Sequence, residues 1–438
     1  MNRQRPDKPD KTQRRDQSAT PRVVAEGKQR AEKLQRIGRK QNRHGGDRRN
    51  ADSRGLTKGE VLKHVRQAHD DERDRDPGSA DAIGRTGAQG RVPHAAKQTV
   101  MRLLGIETSC DDTAAAIVVD GRICESSVLA SQDEFHREYG GVVPEIASRK
   151  HVETLNAVIE LALNGARKTF DDLDGVAVTC GPGLAGSLVV GVAAAQAIAY
   201  ARDLPAYAVN HLHGHLFANY LESPDEPHRD PPESPFVCLV VSGGHTDLID
   251  VRAPGDHRVI GRTLDDAAGE AFDKVARMLG LGFPGGPLLD ALSSHGDPRA
   301  FSFPRPLIGD DHFNFSFSGL KTAVRYHLDA HPQDALERGA DVAASFQAAV
   351  VDVLCAKTLR AARSLGVGTV ALAGGVSANS TLRAELRARG ASQGLRVLVP
   401  PLIYCTDNAA MIAAAAYFRG ELARVAPDAL RADPNFAW

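Results

Sequence analysis

Aromatic residues and cysteine are missing from a whole section of this 438-residue chain: positions 1–100 hold no Phe, Trp, Tyr or Cys. The same section carries 25 Lys/Arg against 14 Asp/Glu, a formal +11, which the remainder offsets at −12. Stretches such as 14–17 and 39–50 lack the apolar surface to offset an ordering entropy of roughly 1–2 kcal/mol per residue. Positions 1–100 therefore read as a disordered, basic extension. Its charge suits phosphate contacts with RNA. The plainer accounts, an inert tail or an upstream start codon with Met101 as the first residue, are preferred.

Other absences narrow the class further. No run of about 18 apolar residues is available to span a bilayer, and positions 1–30 lack the apolar core of a secretory signal. A cytoplasmic protein without a membrane partner is expected. The six cysteines (Cys110, Cys124, Cys180, Cys238, Cys355, Cys405) stand at wide spacings with no C-x-x-C pair. That argues against a zinc finger or a disulfide framework and predicts that most are small buried residues. The Walker pattern, with its Lys-Ser/Thr pair, does not occur where a strand meets a helix.

From Met101 onward, β-rich runs alternate with Ala/Leu-rich ones, the pattern of an α/β protein. Strands are expected at 103–107, 114–119, 175–179, 236–241, 246–251 and 369–373. Helices are expected at 151–163, 188–201, 265–279, 341–365, 380–389 and 407–424. The five prolines in 222–235 mark a surface link between two halves. Both halves open alike: LLGIETSCDDTAAAIVVDG and CLVVSGGHTDLIDVRAPG are each strand, small polar turn, strand. Paired turns of this kind can grip a phosphate chain from two sides.

Chemistry concentrates at a few points. In His211-Leu-His-Gly-His215 a helix sets two imidazoles on one face, where they can share a metal or simply pack. Leu212 occupies the place of the zincin general-base Glu, which disfavours that kind of peptidase. Asp407 can complete the ligand set, or it can serve the dipole of a helix capped by Thr406. Two His and one Asp with open positions suit iron(II), with zinc as an alternative. On the helix expected from 265, Asp266, Glu270, Asp273 and Arg277 share one face, with Ala268, Phe272, Val275, Ala276 and Leu279 opposite. Beside it, the glycines of 283–287 permit close backbone approach to a ligand. Glycine turns at 180–187 and 373–379 expose amides for an anion, or allow tight helix–sheet packing.

Taken in order, LLGIETSCDDT, HLHGH, VSGGHT, DDAAGEAFDK, FPGGP, FSFSGLKT, LAGGVSANS and CTDNAAMIA resemble the tRNA N6-adenosine threonylcarbamoyltransferase family, formerly labelled O-sialoglycoprotein endopeptidases. The resemblance runs from Met101 almost to the last residue. It implies a two-lobed actin, sugar-kinase and Hsp70-like α/β fold with a duplicated core. The expected divisions are 101–234 and 235–406 for the lobes, and 407–438 for a helix returning to the first. It also implies the reaction: threonylcarbamoyl passes from threonylcarbamoyl-AMP to the exocyclic amine of adenosine 37, in tRNAs reading codons that begin with A, and AMP leaves.

By the same resemblance, His211, His215 and Asp407 fall on the family's metal ligands, one divalent ion per subunit. Val240, Val241, Ser242, Gly243, Gly244, Asp273, Gly286 and Asn379 fall on its contacts to the nucleotide intermediate. Asp111, on the phosphate-facing turn 109–113, is the candidate catalytic residue, orienting the amine or taking its proton. The implied partners are tRNA, a paralogous subunit of the same fold and a small P-loop ATPase. The early helices at 151–163 and 188–201 are candidates for the paralogue contact. Three positions depart from the usual pattern: His213 and Asp112 where Glu is common, and Ala409 where Gly is usual. His213 stands as an alternative metal ligand. A metallopeptidase, a non-catalytic assembly subunit and a sugar or acetate kinase remain as rival readings.

Overall fold

The computed structural model describes residues 100–438 other than 224, so the expected extension at 1–100 lies, apart from Val100, outside the described residues. Strands β1 (Arg102–Glu107), β2 (Asp112–Val119), β3 (Ile123–Ser131), β4 (Gly175–Gly181), β5 (Ala206–Asn210) and β11 (Arg424–Val425) form one sheet in the order β11-β5-β4-β1-β2-β3. Strands β6 (Phe236–Val241), β7 (Thr246–Ala253), β8 (Asp256–Arg262), β9 (Thr369–Ala373) and β10 (Arg396–Leu398) form the other, in the order β10-β9-β6-β7-β8. In each sheet an antiparallel meander, β1-β2-β3 or β6-β7-β8, is joined at its first strand to two parallel neighbours. The likeness of the two strand-turn-strand segments is thus the visible part of a repeated five-strand unit. This is the duplicated, actin, sugar-kinase and Hsp70-like α/β architecture.

Among the described residues, nine helices of more than six residues cover the sheets. They are α1 (Pro144–Gly165), α2 (Ala185–Arg202), α3 (His211–Phe217), α4 (Ala268–Met278), α5 (Gly285–Ser293), α6 (Ser318–Ala330), α7 (Gly339–Leu365), α8 (Ser380–Ala391) and α9 (Ala409–Arg419). Strand alternation decides which core each residue enters. On β1, Leu104 and Ile106 pack with Leu155 and Ile159 of α1 and Val192 of α2, while Leu103 turns to a second core with α3 and α9. On β6, Val237, Leu239 and Val241 pack with Phe272 of α4 and Phe346 of α7, while Phe236, Cys238 and Val240 join Leu103 and the α9 alanines. Helices α3 and α9 therefore form a layer shared by the inner faces of both sheets. Strands buried on both faces are apolar throughout for this reason.

Several expectations are corrected. Helix α4 begins at Ala268, not at 265, because the Asp265 carboxylate accepts the Phe317 and Ser318 amides at 2.8 and 3.2 Å and so serves the start of α6. Asp266 is held by Lys274 and Lys321. The apolar face of α4 is as expected, with Ala268, Phe272, Val275, Ala276 and Leu279 all buried. Helix α9 is capped not by Thr406 but by Asn408, whose side-chain oxygen accepts the Met411 amide at 2.9 Å. That leaves Asp407 outside the helix. Strands β3, β5, β8, β10 and β11 and helices α5 and α6 lie outside the expected elements, and β11 begins at Arg424, where the expected helix 407–424 ends. All six cysteines are free and four are buried.

Among the described residues two helices, α2 and α7, are long and apolar enough by length and composition to cross a membrane, although polar residues interrupt both. Helix α7 carries Asp352, Lys357 and Arg360, and 83% of its apolar 18-residue window is buried, as in a core helix, whereas α2 is 33% buried.

Close approach of β1 to α9 depends on Gly105. A Cβ there would meet the Ala409 carbonyl oxygen at 2.2 Å and the Ala413 nitrogen at 3.1 Å, and neither backbone atom can swing aside. Gly105→Ala is expected to lower unfolding free energy by about 1–3 kcal/mol, the usual range for overpacking, measured by urea denaturation. An unchanged midpoint would show that α9 is free to move.

Candidate metal centre

The site is built where the shared helical layer meets the ends of β1 and β5. Asn210, the last residue of β5, caps α3 by accepting the Leu212 amide at 2.8 Å. The helix then sets His211 and His215 one turn apart, their rings 4.7 Å apart and inclined at 77°. From the α9 side, Asp407 brings Oδ1 to 3.5 Å from His211 Nε2 and 3.3 Å from His215 Nε2. The three donor atoms all lie within 4.8 Å of one another.

Electrostatics fit this set to a divalent cation. His215 is fully buried, and neither of its ring nitrogens has a hydrogen-bond partner. An orphaned buried polar atom costs about 1–3 kcal/mol, which a ligated ion would offset. Burial lowers the His215 pKa and keeps its lone pair available. Burial opposes charge on His211 as well, but Asp407 and Glu107 outweigh it and hold that imidazole well above its usual pKa. Burial likewise opposes ionisation of Asp407, and His211 nevertheless holds it below the usual carboxylate range. Two imidazoles and a carboxylate are a donor set for a borderline cation such as zinc or iron(II).

The four-residue turn between β1 and β2 adds more acid. Burial pushes the Asp111 carboxyl up, a hydrogen bond to Cys110 opposes this and the charge of Asp407 adds to it. Burial also pushes Asp112 well up, with Asp111 and Asp407 contributing, and its Oδ1 has no partner. His213 does not join the ligands. It faces away from them, stacked edge-on against His257 and Trp438 at ring distances of 4.4 and 5.3 Å and in contact with Arg419. Burial, with Arg419 and His257, drives its pKa down to about 2.

The expected nucleotide residues gather around the matching turn of the other sheet. Val240 and Val241 are wholly buried, so only their backbones can meet a ligand. Ser242 closes the β6–β7 turn by donating its amide to His245 O at 2.8 Å, and its own carbonyl accepts the Gly269 amide at the start of α4 at 3.2 Å. Gly243 and Gly244 are exposed, with open space where a Cβ would stand. Asp273 Oδ1 accepts the Gly285 and Gly286 amides at 2.8 and 3.1 Å, pinning the 283–287 turn to α4. Asn379 is already committed. Its oxygen caps α8 through Leu382, and its nitrogen donates to buried Gln347 at 2.8 Å. His245 lies close enough to His211, His215 and Asp407 to feel their charge, so the glycine turn and the metal cluster share one region.

Not every glycine turn serves a ligand. At 180–187, the Leu184 amide donates to Ser109 O at 2.8 Å, and a Cβ on Gly183 would strike that same oxygen at 2.5 Å. Tight packing accounts for this turn. Sequence reasoning also passed over Gln347 and Glu107. A lone acid ending the apolar strand LLGIE, on the side chain parity of Leu103, was the available signal for the second.

The sequence profile of the tRNA N6-adenosine threonylcarbamoyltransferase family matches residues 124–414. Relatives of that name from Clostridium perfringens (strain SM101) and Geotalea uraniireducens are 50% and 54% identical over 334 and 314 residues. They cover 76% and 72% of this chain and 97% and 90% of their own length. The chain belongs to this family. A relative of the same name from Thermosipho africanus is 49% identical over 76% of this chain and 99% of its own. Among solved structures, component A of Acidaminococcus fermentans (R)-2-hydroxyglutaryl-CoA dehydratase is similar over 72% of this chain and 98% of its own, at 17% identity and a TM-score of 0.42.

As a threonylcarbamoyltransferase of this family, the chain is an enzyme that modifies tRNA, and its reaction is the formation of N6-threonylcarbamoyladenosine. The cluster of His211, His215 and Asp407 is a candidate divalent-metal site within it. His215→Ala is expected to strip bound divalent metal from the purified protein, weakening affinity by more than the roughly 10- to 100-fold that loss of a supporting hydrogen bond costs. Metal analysis by mass spectrometry reads the result, and retention of wild-type metal content would remove His215 from the site.

Proposed function

We propose that this threonylcarbamoyltransferase takes its group from threonylcarbamoyl-AMP and places it on the exocyclic amine of adenosine 37, in tRNAs that read codons beginning with A. AMP is released. The observation that carries the proposal is the juxtaposition of the His211, His215 and Asp407 cluster with an open glycine turn whose amides have no acceptor among the described residues. A metal centre alone serves many reactions. Free amides beside it add a place for phosphate or nucleotide edges.

In this reading, Gly243 and Gly244 donate to the phosphate end of the intermediate. The backbones of Val240, Val241 and Ser242 form the adjoining wall. Asp273, with Oδ1 holding the turn at Gly286, presents its other oxygen to the ribose hydroxyls, and Asn379 shapes the far side. His211, His215 and Asp407 hold one divalent ion, and iron(II) is the metal we assign, since two His and one carboxylate with open positions suit it. The bound ion supplies Lewis-acid polarisation of carbonyl or phosphate oxygens.

The carbamoyl–phosphate anhydride is already activated, so the protein's main task is orientation and charge stabilisation. The adenosine nitrogen forms a bond to the carbamoyl carbon, the bond from that carbon to the phosphate oxygen breaks, and AMP departs with the electron pair. Asp111 takes the proton released from the amine. Burial raises its carboxyl pKa, which strengthens it as a base toward that proton.

We assign α1 and α2 to the contact with a same-fold partner, because they leave Val152, Val189 and Tyr200 exposed on neighbouring helices. A small P-loop ATPase and a cytoplasmic location complete the proposal.

Transfer of labelled threonylcarbamoyl from its adenylate to unmodified tRNA, with partner proteins present, is the direct test. Wild type is expected to transfer, and His211→Ala is expected to lose transfer. A wild type that fails beside a known transferase, with the same partners active, would favour the assembly-subunit reading. Asp111→Asn is expected to lower kcat by roughly 10²- to 10⁴-fold, the usual share of acid–base catalysis, and unaltered turnover would sink the assignment. Gly244→Val is expected to raise KM for the adenylate without shifting the melting temperature, because its side chain enters open space. An unchanged KM would place the ligand elsewhere.

A further inference from the structure

Glu107 ends β1, five of whose six residues are buried, and none of its own surface is exposed. Strand parity sends it, with Leu103 and Gly105, toward the shared helical layer. There its Oε1 accepts the Ser109 amide, and its Oε2 accepts the Thr179 hydroxyl at 2.7 Å and lies 3.0 Å from His211 Nδ1. No Lys or Arg accompanies it: His211 is its one ion-pair partner among the described residues. A fully buried carboxylate without a cation is costly, so its retention needs an explanation.

The two ligand imidazoles differ in their anchoring. His215 Nδ1 has no partner, whereas His211 Nδ1 faces Glu107 and, at 3.2 Å, the Ser109 hydroxyl. A carboxylate accepts and cannot donate, so it fixes the proton on Nδ1 and leaves the Nε2 lone pair directed toward Asp407.

We infer that Glu107 is a positioning residue of the metal centre, holding His211 in the tautomer that presents Nε2. The inference rests on the proposed reading of His211, His215 and Asp407 as the metal ligands. Glu107 touches neither the ion nor substrate. It acts through the imidazole, as outer carboxylates do on ligating histidines elsewhere.

The test uses the full chain and zinc or cobalt(II) as the probe, with affinity measured by chelator competition and no reference to turnover. Glu107→Gln keeps the shape and removes the charge. It is expected to weaken metal binding by roughly 10- to 100-fold, shift the cobalt(II) absorption bands, and leave the melting temperature of the metal-free protein near wild type. Thr179→Val removes a brace on Glu107 while keeping its charge, and is expected to weaken binding only about two- to threefold. Equal losses in the two variants would reduce Glu107 to a structural brace and overturn the inference, as would unchanged affinity in Glu107→Gln. A wild type that binds neither metal overturns the ligand reading as well, so the two failures are distinguishable. Should Glu107→Gln fail to fold, nitrogen-15 histidine spectra of the zinc-loaded wild type decide: the proton of His211 is expected on Nδ1, and a proton on Nε2 would overturn the inference.

Discussion

Everything in this molecule is arranged around two helices, α3 and α9, squeezed between the inner faces of two sheets. Such a layer is thin only if its residues are small. Helix α9 reads AAMIAAAAYFR, and Ala409, Ala410 and Ala413 to Ala416 are all wholly buried. Gly105 of β1 lies against Ala409, and Gly214 of α3 lies where a Cβ would meet Ile412 at 2.7 Å. Alanine keeps helix propensity high while adding almost no width. Close contact of this kind fixes the helices against both sheets, and so fixes what stands at their ends. His211 and His215 belong to α3, and Asp407 sits just before the Asn408 cap of α9. The metal cluster is the end of the packing layer, and its geometry is inherited from it.

Placing polar groups in that layer has an energetic consequence. His215 without a partner and Asp112 Oδ1 without a partner, alongside buried Glu107, each disfavour the folded state when the site holds no cation. Stability and metal binding are therefore linked, since an ion that binds only the folded chain shifts the equilibrium toward it. The acids of the β1–β2 turn extend the same field outward. Asp111 and Asp112 are pushed toward protonation by burial and by Asp407, so a cation among them draws all of these groups toward ionisation together.

How much of this could be read from the sequence depends on whether the determining contact is local. Strands 236–241 and 369–373 have the bounds expected of them, because strands buried on both faces are continuous apolar runs bounded by turns. The spacing of His211 and His215 exposed the candidate ligand pair for a similar reason, helical period. Local patterns failed where a distant segment claimed a side chain. Asp265 looked like the start of a helix and instead serves α6, more than fifty residues on. His213 carried the right chemistry for a ligand, but at two residues from His211 the helix turns it toward Trp438. Glu107 was invisible in the other direction, since nothing near it in the chain reveals that Thr179 and His211 lie beside it.

The repeated sheet explains why one region can grip a ligand from two sides. Each unit opens with a hairpin whose strands are joined by four residues, Thr108 to Asp111 in one and Ser242 to His245 in the other. Duplication gives the two turns equivalent places at the ends of the central strands, and the shared helical layer makes them face a common space. Their contents have since diverged. One turn carries Cys110 and Asp111 and brings negative charge, while the other carries Gly243 and Gly244 and brings free amides. In the proposed reading, an acidic turn beside the divalent-metal ligands and an amide turn open to anions are complementary halves of a site for an activated acyl phosphate: the first is suited to the proton that the attacking amine must lose, and the second to the charge that the leaving phosphate must gain. Neither half does both, so a chain with a single copy of the unit would have had to crowd acid and amides into one turn, where the carboxylate would repel the phosphate it needs to approach.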